Sequence, residues 1–220
     1  MLQNSIEFVR CNGSKSLAPE LMAQLFDCYP PIYAEAPWFE WKKCSVSKRQ
    51  WGTVHQEELA LTDFMHCGEP LVEFWPRATV ESDLKEAMDA SGASFWLALQ
   101  GNRLVGFCYG YAKTPEKLEE QMERPGLALA VKEKFGASVR YVAYQADIAL
   151  IPEFRGRHLA SQMFELRRKD FLAQGMQIGV VRVKMDPPSV TYLWYTTKLG
   201  YEVISEYHDA GKRVLLARSL

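Results

Sequence analysis

The chain has 220 residues, 48% of them apolar, and a formal net charge of −1, which suits one large domain or one domain with an insertion and offers no basic footprint for nucleic acid. No apolar run is long enough to span a bilayer, and the start, MLQNSIEFVR, lacks a charged segment followed by an apolar one, so neither a membrane nor a signal peptide is expected. The five cysteines (Cys11, Cys28, Cys44, Cys67 and Cys108) are odd in number and scattered, which fits a reducing cytoplasm better than a disulfide framework.

Ile6 to Val9 alternates and reads as a first strand. Ser16 is placed to cap the next helix, with Pro19 in its first turn and Leu21, Met22, Leu25 and Phe26 as its buried stripe; Tyr29-Pro30-Pro31 should end it. Residues 32–80 form the least regular stretch. It is aromatic and basic, with Trp38, Trp41 and Trp51 close together. The pattern W-K-K-C-x-x-S…H-C-G-E-P-L looks like a worn zinc ribbon, with Ser47 and Phe64 standing where second ligands would be. Cys44, His55, His66 and Cys67 could supply four ligands, but at no recognised spacing; free thiols and surface histidines are the simpler reading, and no metal is assigned. Without metal the stretch could wall a substrate pocket, cap one end of the core, or present a partner surface.

Ser82 to Met88 reads as a helix. Ser94–Gln100 and Arg103–Tyr111 then form a hairpin across Gly101-Asn102. In residues 112–139, Pro115 opens a helix carrying Glu116, Glu119, Glu120 and Glu123, Pro125-Gly126 breaks it, and Leu127 to Phe135 forms another. This helical segment could be an acidic lid that attracts a cationic amine, or a solvated surface.

Tyr141 to Leu150 is an apolar, strand-forming run that Pro152 stops. Arg155-Gly156-Arg157 makes a basic turn, and Leu159, Met163, Leu166 and Phe171 recur at helical spacing behind it. The first amides of a helix have no internal partner and, with the helix dipole, form an anion site; arginines add charge that suits phosphate. The junction therefore reads as a pyrophosphate cradle. Ile178 to Val183 is a buried-type strand, Asp186-Pro187-Pro188 starts a short helix with Tyr192, Trp194 and Tyr195 that closes at Gly200, and Tyr201–Tyr207 pairs with Arg213–Ala217 across Asp209–Lys212.

The run Pro152-Glu153-Phe154-Arg155-Gly156-Arg157-His158-Leu159-Ala160 resembles the cofactor motif of the GNAT acetyltransferases, with His158 at a position usually held by glycine. Leu104-Val105-Gly106-Phe107 and Lys198-Leu199-Gly200-Tyr201 resemble two further segments of that family. The resemblance covers residues 94–220 well and 1–30 loosely. It implies a single α/β domain of GNAT acyl-CoA N-acyltransferase fold over residues 1–220: a mixed, mostly antiparallel sheet flanked by helices, with 32–80 as an irregular insertion and 112–139 as a helical lid. It further implies an acetyl-CoA-dependent, cytoplasmic N-acetyltransferase in which a primary amine of a small molecule or protein attacks the thioester directly; a non-catalytic acyl-CoA sensor is the alternative. Acetyl-CoA would be held by main-chain groups of Ile148, Ala149 and Leu150 and by Arg155, Gly156, Arg157, His158, Leu159, Ala160 and Ser161. Asp147 would be the base. Tyr195 would be the acid, with Tyr192 or Thr196 as alternatives because Thr196 occupies the family's usual tyrosine position. A homodimer is one assembly such a chain could form.

Overall fold

The computed structural model describes residues 5–36, 38–206 and 213–220. Seven strands make one sheet: β1 (Ile6–Cys11), β2 (Ser94–Gln100), β3 (Arg103–Lys113), β4 (Val142–Leu150), β5 (Ile178–Lys184), β6 (Glu202–Glu206) and β7 (Arg213–Ser219). Their spatial order is β1-β2-β3-β4-β5-β7-β6. All neighbours are antiparallel except β4 and β5, which run parallel. This is the expected mixed, mostly antiparallel sheet; the turn read at Asp209–Lys212 lies outside the described residues.

Side chains alternate across a strand, so each face of the sheet takes its own helices. On one face α1 (Pro19–Ala34) and α2 (Arg77–Asp89) pack Leu25, Phe26, Leu84 and Met88 against Phe95, Leu97 and Phe107. Beside them α3 (Pro115–Met122) and α4 (Leu127–Phe135) bury Leu118, Met122, Leu127 and Val131 against Val142, Val180 and Leu215. The opposite face carries α5 (Leu159–Ala173), whose Met163 meets Val105 and Cys108 and whose Phe164 meets Val181 and Leu216. A last short helix, α6 (Val190–Leu193), is capped by the Ser189 hydroxyl and widens into a π-helical turn at Trp194–Lys198.

Two expectations about α1 fail. Ser16 does not cap it: the Ser16 hydroxyl donates to Gly13 O within a preceding 3-10 turn, and Ala18 stands at the helix start without a side-chain cap. Nor do Pro30 and Pro31 end it, since the helix runs to Ala34. Each proline removes a backbone donor, but Tyr29 and Tyr33 lie one turn apart on the buried face. Tyr29 stacks on Phe107 at 5.7 Å, and both rings pack on Trp75, at 5.4 and 6.1 Å. Burial of two aromatic rings outweighs the lost bonds.

The irregular stretch is a small unit of two-residue strands, too short to announce themselves by alternation. Lys42–Lys43 pairs with Gln50–Trp51 and with Val72–Glu73, and Met65–His66 pairs with Glu69–Pro70. Cys44, Trp51, Leu59 and Leu71 are its buried core.

Two features of β4 create the site. Its pairing with β5 is confined to Ala143↔Gly179 and Tyr144↔Val180; beyond that the strands splay. Against β3, the step from Tyr144 to Asp147 is matched by the shorter step from Tyr111 to Tyr109, so β4 carries one extra residue, a β-bulge. Ala146 and Asp147 consequently face the α1 side in succession, while Gln145 and Ile148 face α5. Gly110 permits this close approach, because a Cβ there would lie 2.3 Å from Tyr144 O.

Candidate active site

A cavity of about 1030 Å³ occupies the splay and extends to both sides of it. One end is the junction of β4 with α5. Ile151 N bonds Val105 O, and antiparallel ladders alternate bonded and unbonded pairs, so Ala149 faces β3 while the main-chain groups of Ile148 and Leu150 turn into the gap. The Arg155 Nε donates to Leu150 O at 3.1 Å, which sets that guanidinium along the mouth. Gly156 (φ 75°) and His158 (φ 61°) both adopt the left-handed conformation. This curls the chain so that the first amides of α5, at Leu159, Ala160 and Ser161, open on the cavity. For histidine that conformation costs about 1–2 kcal/mol, and it accounts for glycine being the usual occupant. Of the expected cofactor residues all line the cavity except Arg157, whose guanidinium lies 4.8 Å over the Phe154 ring.

At the centre, Asp147 accepts three phenolic hydrogen bonds: from Tyr33 at 2.6 Å on Oδ1, and from Tyr109 at 2.6 Å and Tyr29 at 3.2 Å on Oδ2. Burial pushes all three phenols well above the usual tyrosine range, and the Asp147 charge pushes further, so they remain neutral donors. On the other face of β4 a fully buried arginine, Arg167 of α5, has no carboxylate partner among its hydrogen bonds. It donates to Tyr109 O and Asp147 O, both at 2.8 Å, to Gln145 Oε1 at 2.8 Å and to the Tyr195 hydroxyl at 2.9 Å; its Nε has no partner among the described residues.

Tyr195 therefore faces the core, on the π-helical turn, though it also lines the cavity. Its hydroxyl donates to Gln145 Oε1 at 2.9 Å. Burial pushes this phenol up, with the Arg167 charge acting against that. Thr196 bonds back to Tyr192 O and Leu193 O, and Tyr192 is half-buried beside Val181 and Val183.

The far end of the cavity is built by α1, α2 and the insertion. Trp38, Trp75 and Tyr111 line it together with Glu40, Asp83 and Glu86. Glu40 is only 6% exposed; Trp75 Nε1 donates to it at 3.1 Å and Arg213 stands 3.6 Å away. Burial pushes its carboxyl up to about 7, against the pull of Arg213. Glu116, Glu119, Glu120 and Glu123 do not line the cavity. Glu116 pairs with Lys132 and Glu119 accepts from Ala128 N, while Gln121 is the residue of α3 that reaches the cavity. Of the four candidate metal ligands, Cys44, His66 and Cys67 converge; His55 bonds Gly52 and packs on Phe39 instead.

Glu40, Arg167, Gln145 and the three tyrosines were not read as site residues from sequence. Arg167 had a signal: it falls on the buried stripe of α5 with Met163, Phe164 and Phe171, where an apolar residue belongs. The tyrosines had none, because their meeting depends on a bulge that no residue type marks.

This strand order, the parting of β4 from β5 and the amide cradle at α5 define the fold of the GNAT acetyltransferases. Among solved structures, the chain is similar to a Drosophila melanogaster polyamine N-acetyltransferase that forms N-acetylagmatine (19% identity, covering 97% of this chain and 100% of that one, TM-score 0.56). It is also similar to an agmatine N-acetyltransferase variant in its apo form (18% identity, 97% and 99% covered, TM-score 0.57), and to PaiA N-acetyltransferase of Thermoplasma acidophilum in complex with coenzyme A (13% identity, 99% and 100% covered, TM-score 0.54). No protein-family model and no curated protein matches the chain by sequence, so what is shared is the fold. Among the described residues no helix is long and apolar enough to cross a membrane.

Proposed function

We propose that the chain is an acetyl-CoA-dependent N-acetyltransferase whose acceptor is a primary amine, cationic in solution. One observation carries the reading: a single cavity joins an amide cradle for a diphosphate to an aromatic, acid-lined chamber through the gap beside Asp147. Acetyl-CoA, when bound, supplies an acyl group activated as a thioester. The amides at Leu159, Ala160 and Ser161, with Gly156, His158 and Arg155, would hold its diphosphate. The Ile148 and Leu150 amides point where a carbonyl oxygen gaining negative charge would be stabilised.

The chamber is suited to a cation twice over, through ring faces of Trp38 and Trp75 and through carboxylates. An alkylammonium must lose a proton before it can attack directly. Asp147 is the proposed acceptor, taking the proton on an oxygen as a phenol yields its place; Glu40, which lines the same cavity with its carboxyl raised by burial to about 7, is the proposed next acceptor. Tyr195 is the proposed donor to a departing thiolate, since the Arg167 guanidinium already donates to its oxygen and would support the phenolate.

Calorimetry with acetyl-CoA, followed by thiol release over a panel of alkylamines, tests this. Binding with release that favours dicationic over neutral or anionic acceptors is expected. No binding at millimolar acetyl-CoA overturns the proposal, and binding without release from any amine replaces it with an acyl-CoA-binding module.

A further inference from the structure

The insertion holds two turns that face each other. In the first, after the Lys42–Lys43 strand, Cys44 N bonds Arg49 O at 2.9 Å, Lys48 N bonds Cys44 O at 3.1 Å, and Ser47 N–H points at the Cys44 sulfur at 3.3 Å. An amide aimed at a cysteine sulfur favours the thiolate, the form that binds metal. In the second, the Met65–His66 hairpin turns through Cys67 (φ 53°) and Gly68 (φ 79°). His66 Nδ1 lies 3.1 Å from Cys67 Sγ and 3.5 Å from Ser47 Oγ. One donor atom from each of Cys44, His66 and Cys67 falls within 4.8 Å of the others.

We propose that Cys44, His66 and Cys67 bind one zinc ion that clips these two turns together, its fourth position taken by water beside Ser47. Zinc–sulfur bonds of about 2.3 Å and zinc–nitrogen bonds of about 2.0 Å give a tetrahedron with edges near 3.5–3.8 Å; no separation need contract by more than about 1 Å to reach them, and the 3.1 Å contact of His66 Nδ1 with Cys67 Sγ need only open slightly. Two thiolates and an imidazole select zinc over magnesium or calcium. The physical need is plain. The unit has two-residue strands and a core of only four buried side chains, too small to fix its own shape. Yet the same insertion carries Trp38, Glu40 and Trp75 into the cavity. The ion would thus set the acceptor chamber while leaving the amide cradle, on the far side of β4, untouched.

Metal content of the whole chain purified without chelator, and cobalt(II) titration of chain stripped of metal, test the site independently of any activity. One zinc per chain, and a thiolate-to-cobalt charge-transfer band at one equivalent, are expected. Cys67→Ser and His66→Ala, both at accessible positions, should each weaken cobalt binding by more than about tenfold, since loss even of a ligand's outer partners costs 10–100-fold. Cys28→Ser, outside the insertion, should not. Absence of the band at micromolar cobalt, a band unchanged in Cys67→Ser and His66→Ala, or a Cys44–Cys67 disulfide in protein purified under reductant would each overturn the proposal.

Discussion

Asp147, half-buried, and Arg167, fully buried, set opposite charges against opposite faces of one strand, and neither side chain answers the other. Asp147 is surrounded by three hydroxyls, whereas Arg167 is surrounded by two peptide carbonyls, one amide and one phenol. Tyr109 serves both: its hydroxyl donates to the carboxylate and its carbonyl accepts from the guanidinium. The difference is in what each charge is available for. Two hydrogen bonds of Arg167 end on the main-chain carbonyls of the Tyr109–Asp147 pair at one end of the bulge, so it is fitted to hold β4 in its parted course. Asp147 is bound by hydroxyls alone, and it opens on the cavity. A buried charge stabilised by main-chain dipoles is structural in character; one stabilised by side chains can exchange partners.

The largest test of that contrast is Arg167→Ala. It takes the guanidinium away from Tyr109 O and Asp147 O inside the core, while Gln145 Oε1 keeps its bond from the Tyr195 hydroxyl; unsatisfied buried groups cost about 1–3 kcal/mol each without adding fully. A loss of about 2–4 kcal/mol in urea unfolding is expected, that of two such acceptors with the packing of the side chain. Arg167→Lys should recover little of it, because one ammonium cannot reproduce a planar fork serving four acceptors. A loss below about 1 kcal/mol would mean the bulge holds its shape unaided.

Glu40 sharpens the comparison from the other side. It shares the cavity with Asp147 but receives one N–H bond rather than three O–H bonds, and burial raises it from the ordinary 4.5 to about 7. The folded chain then keeps a proton on Glu40 that the unfolded chain has released. Its contribution to stability is therefore complete below about pH 4.5 and is lost as pH rises towards 7. At 1.36 kcal/mol per unit this amounts to on the order of 3 kcal/mol across that window. Glu40→Gln should flatten the wild-type fall in urea stability between about pH 5 and 7.5 by that order; parallel pH profiles for the two proteins would show that donors around Glu40 compensate for its burial.

How much of this was legible beforehand follows from the range of each interaction. The order of elements along the chain, the hairpin at Gly101-Asn102, the pair of helices around Pro125-Gly126 and the strand–turn–helix junction at Arg155-Gly156-Arg157 rest on local patterns: alternation, turn residues, and a basic glycine turn ahead of a helical stripe. They match the structure closely, with the hairpin strand extended to Lys113 and the second helix begun at Arg77. What was missed depends on contacts between distant parts. The helix passes through Pro30 and Pro31 because Tyr29 and Tyr33 find Trp75, more than forty residues on. Two-residue strands in the insertion have no period to detect. The β4 bulge, which sends Gln145 and Asp147 to opposite faces against simple alternation, is visible only once β3 is aligned beside it.

The smallest and most discriminating effects lie among the three phenols themselves. Tyr33 meets Asp147 at 2.6 Å, while Tyr29 stands at 3.2 Å on an oxygen it shares with Tyr109. A hydrogen bond to a charged group contributes about 1.5–3 kcal/mol, so Tyr33→Phe should lose about 2 kcal/mol. Tyr29→Phe should lose no more than about 1 kcal/mol, because a long bond weakens steeply and Tyr109 still satisfies the shared oxygen. The rings remain in both variants, so packing on Trp75 and Phe107 is preserved and the difference reports the hydroxyls alone. If the side-chain shell of Asp147 is the exchangeable one, Tyr29 is the phenol that yields when a ligand arrives. Tyr29→Phe should then leave amine acetylation within about threefold of wild type, whereas Tyr33→Phe should reduce kcat/KM for the amine by tenfold or more, of the order of one charged hydrogen bond. Equal losses in stability and in turnover for the two would mean that the three hydroxyls act as a single rigid cage, and that Asp147 is as fixed as Arg167.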